Sequence, residues 1–243
     1  MSEKFESRAL KLPILLASGT PMSEKLLERL IKFFRADGRE VFCPKHSQSF
    51  HPAKNRPSDL AMAISQNNSK KFHLVAHSYG GIDALRLIIE REDIHDKIAS
   101  LTLVNSPSGK KNNLLKHLYR FVKYVLPGIL FIKSAEENKM LRRLARAAIA
   151  RVLELIPETF DIVSLDSDKL FAAAMPAEIP TKWIQSPDDT FLYPDGVKSK
   201  RQPDIFLEEG GNHCGVLFDP EKYGGRTILN LISEIENLEN PAD

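Results

Sequence analysis

The sequence predicts an α/β protein: a mostly parallel sheet with helices on both faces and one inserted helical cap. Three observations carry this reading. Short continuous apolar runs recur along the 243 residues, and runs of that length suit strands buried on both sides. Amphipathic patterns with helical spacing alternate with them. From Ser108 to about Met175 the alternation stops and only helical patterns remain. The expected division is therefore a core of 1–107 and 176–243 with a cap of 108–175.

The elements follow in order. "LPILLAS", Leu12 to Ser18, is the first strand. In "GTPMSEKLLERLIKFFRADG" the residues Leu26, Leu27, Leu30, Ile31, Phe33 and Phe34 fall at helical spacing, and Gly38 marks a stop. "REVFCP" from Arg39 is the second strand. "PSDLAMAISQ" is a short helix with Pro57 in its first turn. "FHLVAH" is the third strand, and "GGIDALRLIIERE" the helix after it. "IASLTLVNSP", "PTKWIQS" and "PDIFLEE" are three more strands, and "GRTILNLISEIENLEN" is a closing amphipathic helix.

Composition narrows the function classes. Hydrophobic residues make up 42% and charged residues 27%, ordinary for a globular protein. A net charge of +2 gives no reason to expect nucleic acid. Two cysteines, Cys43 and Cys214, make no disulfide framework, and reduced thiols are expected. "MSEKFESRALKLP" is charged throughout, so no secretory leader is expected. The longest apolar run, "YVLPGILFI", is too short to span a bilayer and holds Pro127. A cytoplasmic protein is the expectation.

One junction carries chemistry. "FHLVAHSYGGIDALRL" sets Ser78 between a buried strand and a helix, with Ala76 two places before it and Gly80 two after. Small-x-Ser-x-Gly in that context is a nucleophile elbow. The chain reverses so sharply that side chains at the flanking places collide unless they are small. The turn lifts the hydroxyl above the sheet edge and aims the first amides of the helix at the same spot, where negative charge is favoured.

On these residues the chain resembles the α/β-hydrolase superfamily over nearly its whole length. "LPILLASGTP" is similar to that family's first strand and oxyanion loop, "FHLVAHSYGG" to its elbow, and "KIASLTLVNSP" to the strand leading into the cap. The elbow and the strand after it also resemble bacterial-type lipases, although "NSPSGKK" lacks the Pro-His-x-Gly of those enzymes.

The resemblance implies further roles. The family order is Ser, acid, His. "TKWIQSPDDTFLYP" offers Asp189 as the acid, with Asp188 as the alternative one place earlier. "DIFLEEGGNHCGVLFDP" offers His213 as the base, in a glycine-rich loop after the last strand. The oxyanion donors are expected to be the amides of Tyr79 and Thr20, since Pro21 has no N–H. His77 is expected to pack or hydrogen-bond below the site. No His, Cys or carboxylate set has metal-ligand spacing, so neither metal nor cofactor is expected.

The implied activity is a serine carboxylic-ester hydrolase, esterase- or lipase-like, acting on an acyl ester or thioester. Between Gly109 and Arg151 there are eleven Lys and Arg against two Glu. A basic, Leu- and Phe-rich cap suits a medium or long acyl chain and an anionic partner, whether an acidic carrier protein, a coenzyme A thioester or an anionic lipid surface. Arg142, Arg143 and Arg146 are the candidate contacts. A solvated helical face explains the same charges. The alternatives kept open are a carrier- or coenzyme-A-linked acyl esterase and a non-catalytic ligand- or partner-binding protein of this fold.

Overall fold

Mostly apolar runs of five to seven residues form three of the four inner strands, and their side-chain parity sorts the core into two faces. The computed structural model describes residues 11–19, 24–44, 52–67, 71–106, 167–175, 178–187, 189, 202–207 and 213–239. The strands are β1 (Ile14–Ser18), β2 (Val41–Phe42), β3 (Phe72–His77), β4 (Ile98–Val104), β5 (Thr181–Gln185) and β6 (Ile205–Phe206). They make one parallel sheet in the order β2-β1-β3-β4-β5-β6. The described helices are α1 (Glu24–Ala36), α2 (Pro52–Gln66), α3 (Gly80–Glu90), α4 (Ser167–Ala174), α5 (Gly215–Phe218) and α6 (Gly225–Glu239), with a 3₁₀ helix at Glu92–Lys97.

Alternate residues of each strand point to opposite faces. Leu15 and Ala17 of β1, Leu74 and Ala76 of β3, Leu101 and Leu103 of β4, and Trp183 of β5 meet buried residues of α2, α3 and α4. Ile14, Leu16, Val75, Val104 and Ile184 meet buried residues of α1, α5 and α6. A parallel sheet covered on both sides explains why β1, β3 and β4 read as mostly apolar runs. Phe171 and Leu170 of α4 pack against the first of these clusters, so the carboxyl end of the 108–175 segment rests on the core.

Three details differ from the sequence reading. α2 starts at Pro52, with Pro57 inside it. Pro52 sits where a missing N–H costs nothing, and Pro57 forfeits one helical bond while Leu60, Ala61 and Ile64 bury the same helix. β2 and β6 have two residues each, shorter than their apolar patterns, because an outermost strand has a ladder on one side only. The 3₁₀ helix and α5 are too short to leave a periodic signature.

A polar cluster ties the amino ends of the strands to α6. Arg39, its side chain fully buried, donates from Nη1 and Nη2 to the two oxygens of Glu236, each at 2.7 Å. Nη1 also donates to the Leu12 carbonyl at 3.0 Å, and the Leu12 amide donates to Glu236 Oε1 at 2.9 Å. His73 Nε2 lies 3.3 Å from the same oxygen and its Nδ1 2.8 Å from Ser100 Oγ. Burial alone raises the Glu236 pKa, but the bonds from Arg39 and Leu12 and the nearby charges outweigh it and hold the carboxyl at about 2.

The strand order fixes where a ligand fits. The chain leaves β1 toward β2 on one side, then returns across to β3 on the other side of β1. Parallel sheets bind ligands outside the carboxyl ends of strands at such a reversal. Ser18 and His77, paired in register, end β1 and β3 at this place.

Candidate active site

Ser78 follows the last residue of β3 with φ of 57°. This left-handed conformation is uncommon for a residue with a side chain. Ser78 N–H bonds the Val104 carbonyl at 3.0 Å, and the Ser78 carbonyl accepts from the Gly81 amide at 3.0 Å. The turn is tight enough to require glycine: a Cβ at Gly80 would lie 2.5 Å from the Ala17 carbonyl oxygen. A Cβ at Gly81 would run into Ser106 Oγ. Ser106 in turn donates to the Ala76 carbonyl at 3.2 Å.

His213 reaches this hydroxyl from the loop before α5. Its Nε2 lies 2.7 Å from Ser78 Oγ and its Nδ1 2.8 Å from Asp189 Oδ2. The ring is 9% exposed and Asp189 1% exposed. Gln185 Nε2, at the end of β5, donates to the same Asp189 oxygen at 3.1 Å. The Asp189 amide bonds back to the Ser186 carbonyl at 3.2 Å, closing the turn after β5. Parts of the chain as far as 135 positions apart thus meet over one rim. In such a chain of hydrogen bonds, an imidazole can accept the hydroxyl proton while a carboxylate balances the imidazolium.

Buried His77 lies beneath this group. Burial, then the nearby His213, lowers its pKa to about 3, outweighing the hydrogen bond to the His213 backbone. It is therefore neutral, and its contact with the His213 carbonyl at 2.8 Å requires the proton on Nε2. The two imidazole centroids are 5.1 Å apart. Cys214, beside the base, is pushed up to about 11 by burial and by the Asp189 charge, so its thiol stays protonated. Neither Cys43 nor Cys214 is in a disulfide.

The Tyr79 amide opens α3 directly after Ser78. Gly19 faces it: a Cβ there would lie 2.9 Å from Tyr79 N and 3.2 Å from Ser78 Oγ. Were Ser78 to attack a carbonyl, this space would lie open to its oxygen. Gly19→Ala is expected to lower kcat/KM by about 10²-fold, the effect of losing one oxyanion contact. Steady-state kinetics on a soluble ester checks this, and wild-type turnover in the variant would refute it.

Thr20, Asp188, Arg142, Arg143 and Arg146 lie outside the described residues, as do residues 108–166 of the expected cap region. Among the described residues no His, Cys, Asp and Glu cluster fits a metal ion, and no helix is long and apolar enough to cross a membrane. Sequence reasoning missed Gln185 and Asn105. Asn105 had one available signal, since asparagine right after a strand tolerates the left-handed turn it adopts here, with φ of 46°. Gln185 had none.

No family model and no curated protein sequence matches the chain. Solved structures do. A carboxylesterase structure from the thaumarchaeon Nitrososphaera gargenis aligns with a TM-score of 0.64 at 14% identity, covering 93% of this chain and 92% of that one. A bromoperoxidase from Bacillus anthracis aligns at 0.66 and 16% identity, covering 92% of each chain. A haloalkane dehalogenase from Bradyrhizobium elkani aligns at 0.60 and 15% identity, covering 95% and 93%. Strand order, the turn at Ser78 and these likenesses agree: the chain has the α/β-hydrolase fold.

Proposed function

We propose that the protein is a serine hydrolase that cleaves a carboxylic ester or thioester through an acyl-enzyme. The observation that carries this reading is the pair of contacts at His213, 2.7 Å to Ser78 Oγ and 2.8 Å to Asp189 Oδ2. Ser78 Oγ attacks the substrate carbonyl carbon as His213 Nε2 takes its proton. The Tyr79 amide, facing the Gly19 backbone, stabilises the oxyanion. The tetrahedral intermediate collapses, the bond to the leaving group breaks, and His213 returns the proton to that group. Water then attacks the acyl carbon, again losing a proton to His213. The bond to Ser78 breaks, the serine is reprotonated and the acid departs.

Asp189 keeps the proton on Nδ1 and offsets the charge of the imidazolium. Two structures of this fold concern a carboxylesterase and a membrane phospholipase A, which favours esters among the chemistries the fold supports. A serine at the elbow, where dehalogenases and epoxide hydrolases of this fold use aspartate, points the same way.

The test is covalent labelling by a fluorophosphonate, followed by p-nitrophenyl esters of increasing chain length. The wild type is expected to label at Ser78 and Ser78→Ala to stay unlabelled. The chain length giving the highest kcat/KM reports pocket depth. A folded wild type that neither labels nor hydrolyses any ester in the series would overturn the proposal and favour a ligand-binding role.

A further inference from the structure

We propose that Asn105 is a positioning residue of this site: its carboxamide joins the loop bearing Asp189 to the loop bearing His213. The inference rests on the serine-hydrolase reading and adds a residue that acts through two others.

Asn105 follows β4, which lies between β3 and β5 in the sheet. Its φ of 46° turns the chain sharply at the carboxyl rim, and its amide still closes the ladder to the Ile184 carbonyl at 3.0 Å. The side chain, 1% exposed, makes two bonds in opposite senses. Oδ1 accepts from the Ser186 amide at 2.7 Å, and Nδ2 donates to the His213 carbonyl at 3.1 Å. A backbone amide can only donate and a carbonyl can only accept, so these partners fix which end of the carboxamide is oxygen. Ser186 in turn accepts from the Asp189 amide. One side chain therefore holds the start of the acid turn and the backbone of the base.

His77 supplies the second donor to the His213 carbonyl, at 2.8 Å. With Asn105 it occupies both lone pairs of that oxygen. The imidazole thus hangs from a backbone clamped by two buried side chains from the ends of β3 and β4. A misplacement of about 1 Å at a reacting group costs on the order of 10²-fold in rate, so this clamp bears on turnover.

Two variants separate positioning from plain stability. Asn105→Gly accepts the left-handed backbone without strain and removes both side-chain bonds. Asn105→Asp keeps an acceptor for Ser186 but turns a carboxylate oxygen toward the His213 carbonyl. With active sites counted by fluorophosphonate titration, each variant is expected to lose about 10- to 100-fold in kcat while KM stays within about threefold. The downfield NMR signal of the His213 Nδ1 proton should weaken, and Ser78→Ala protein allows this readout without turnover.

A merely structural asparagine would lower Tm and the active fraction only. Unchanged kcat per active site and an intact proton signal would overturn the proposal. If one variant does not fold, the other decides. A wild type that fails to react with the fluorophosphonate sinks the hydrolase reading instead, and the proton signal still tests the clamp.

Discussion

Asp189→Asn is expected to lower kcat by about 10⁴-fold, the scale seen when a triad carboxylate becomes an amide. Asp189 Oδ2 accepts two hydrogen bonds, from His213 Nδ1 and Gln185 Nε2. An asparagine must present either oxygen or NH₂ at that point. If it presents NH₂, two donors face a third, and relief requires the imidazole to move its proton to Nε2. That nitrogen then cannot accept from Ser78, 2.7 Å away. If it presents oxygen, the tautomer survives but the negative charge that balances the imidazolium is gone. Both outcomes act on the transition state, so kcat falls and KM changes little. Kinetics on a p-nitrophenyl ester, with circular dichroism to confirm folding, checks the result. Asp188→Asn is the control. A fall of under about tenfold for Asp189→Asn beside a large fall for Asp188→Asn would move the acid one residue.

Glu236→Gln is expected to cost about 3–5 kcal/mol of stability, the usual result of leaving a buried charge without its partner. Arg39 is fully buried and makes both short bonds to this carboxylate. Its other ionic partner, Asp37 at 3.1 Å, limits the loss without replacing the paired geometry. The pH dependence has a definite sign. Glu236 is held at about 2 in the folded chain against an ordinary 4.5, so its contribution is full above about 4.5. It is lost as the pH falls from there toward about 2. Denaturant unfolding at pH 7 should show the full difference between wild type and variant, and the difference should shrink below about pH 4.5 and close only as the pH reaches about 2 or lower. Turnover per folded molecule should not change, because the cluster sits at the amino ends of the strands, away from Ser78. Equal stability at pH 7 would refute the assignment.

The sheet was largely legible, and the reason is physical. Strands buried on both faces must be apolar at most positions, so β1, β3 and β4 appear in the sequence as largely apolar runs, with His73, Ser100 and Thr102 among the buried exceptions. At the edges the signal overstates length, since the apolar patterns around Val41 and Ile205 outrun their ladders. The helix at Pro57 begins earlier because packing of Leu60 and Ile64 outweighs a single missing bond. Ser78 stood out because its turn forbids bulk on both sides, a demand written directly into residue size. Asp188 and Asp189 could not be separated by pattern. The contact with His213 belongs to Asp189, and only coordinates reveal it. Asn105 was hidden because its partners come from distant segments and are backbone groups that any residue carries, and Gln185 because its bond to Asp189, four residues on, depends on how the chain turns after β5.

On the proposed hydrolase reading, the left-handed backbone at Ser78 sets activity and robustness against each other at one position. A side chain held there costs roughly 1–3 kcal/mol, and glycine would avoid it at a smaller entropic loss of about 1 kcal/mol. A lineage freed from the need for turnover would thus drift away from serine at 78 and become sturdier for it. Keeping the alcohol is a standing thermodynamic burden, tolerable only while its chemistry is being selected.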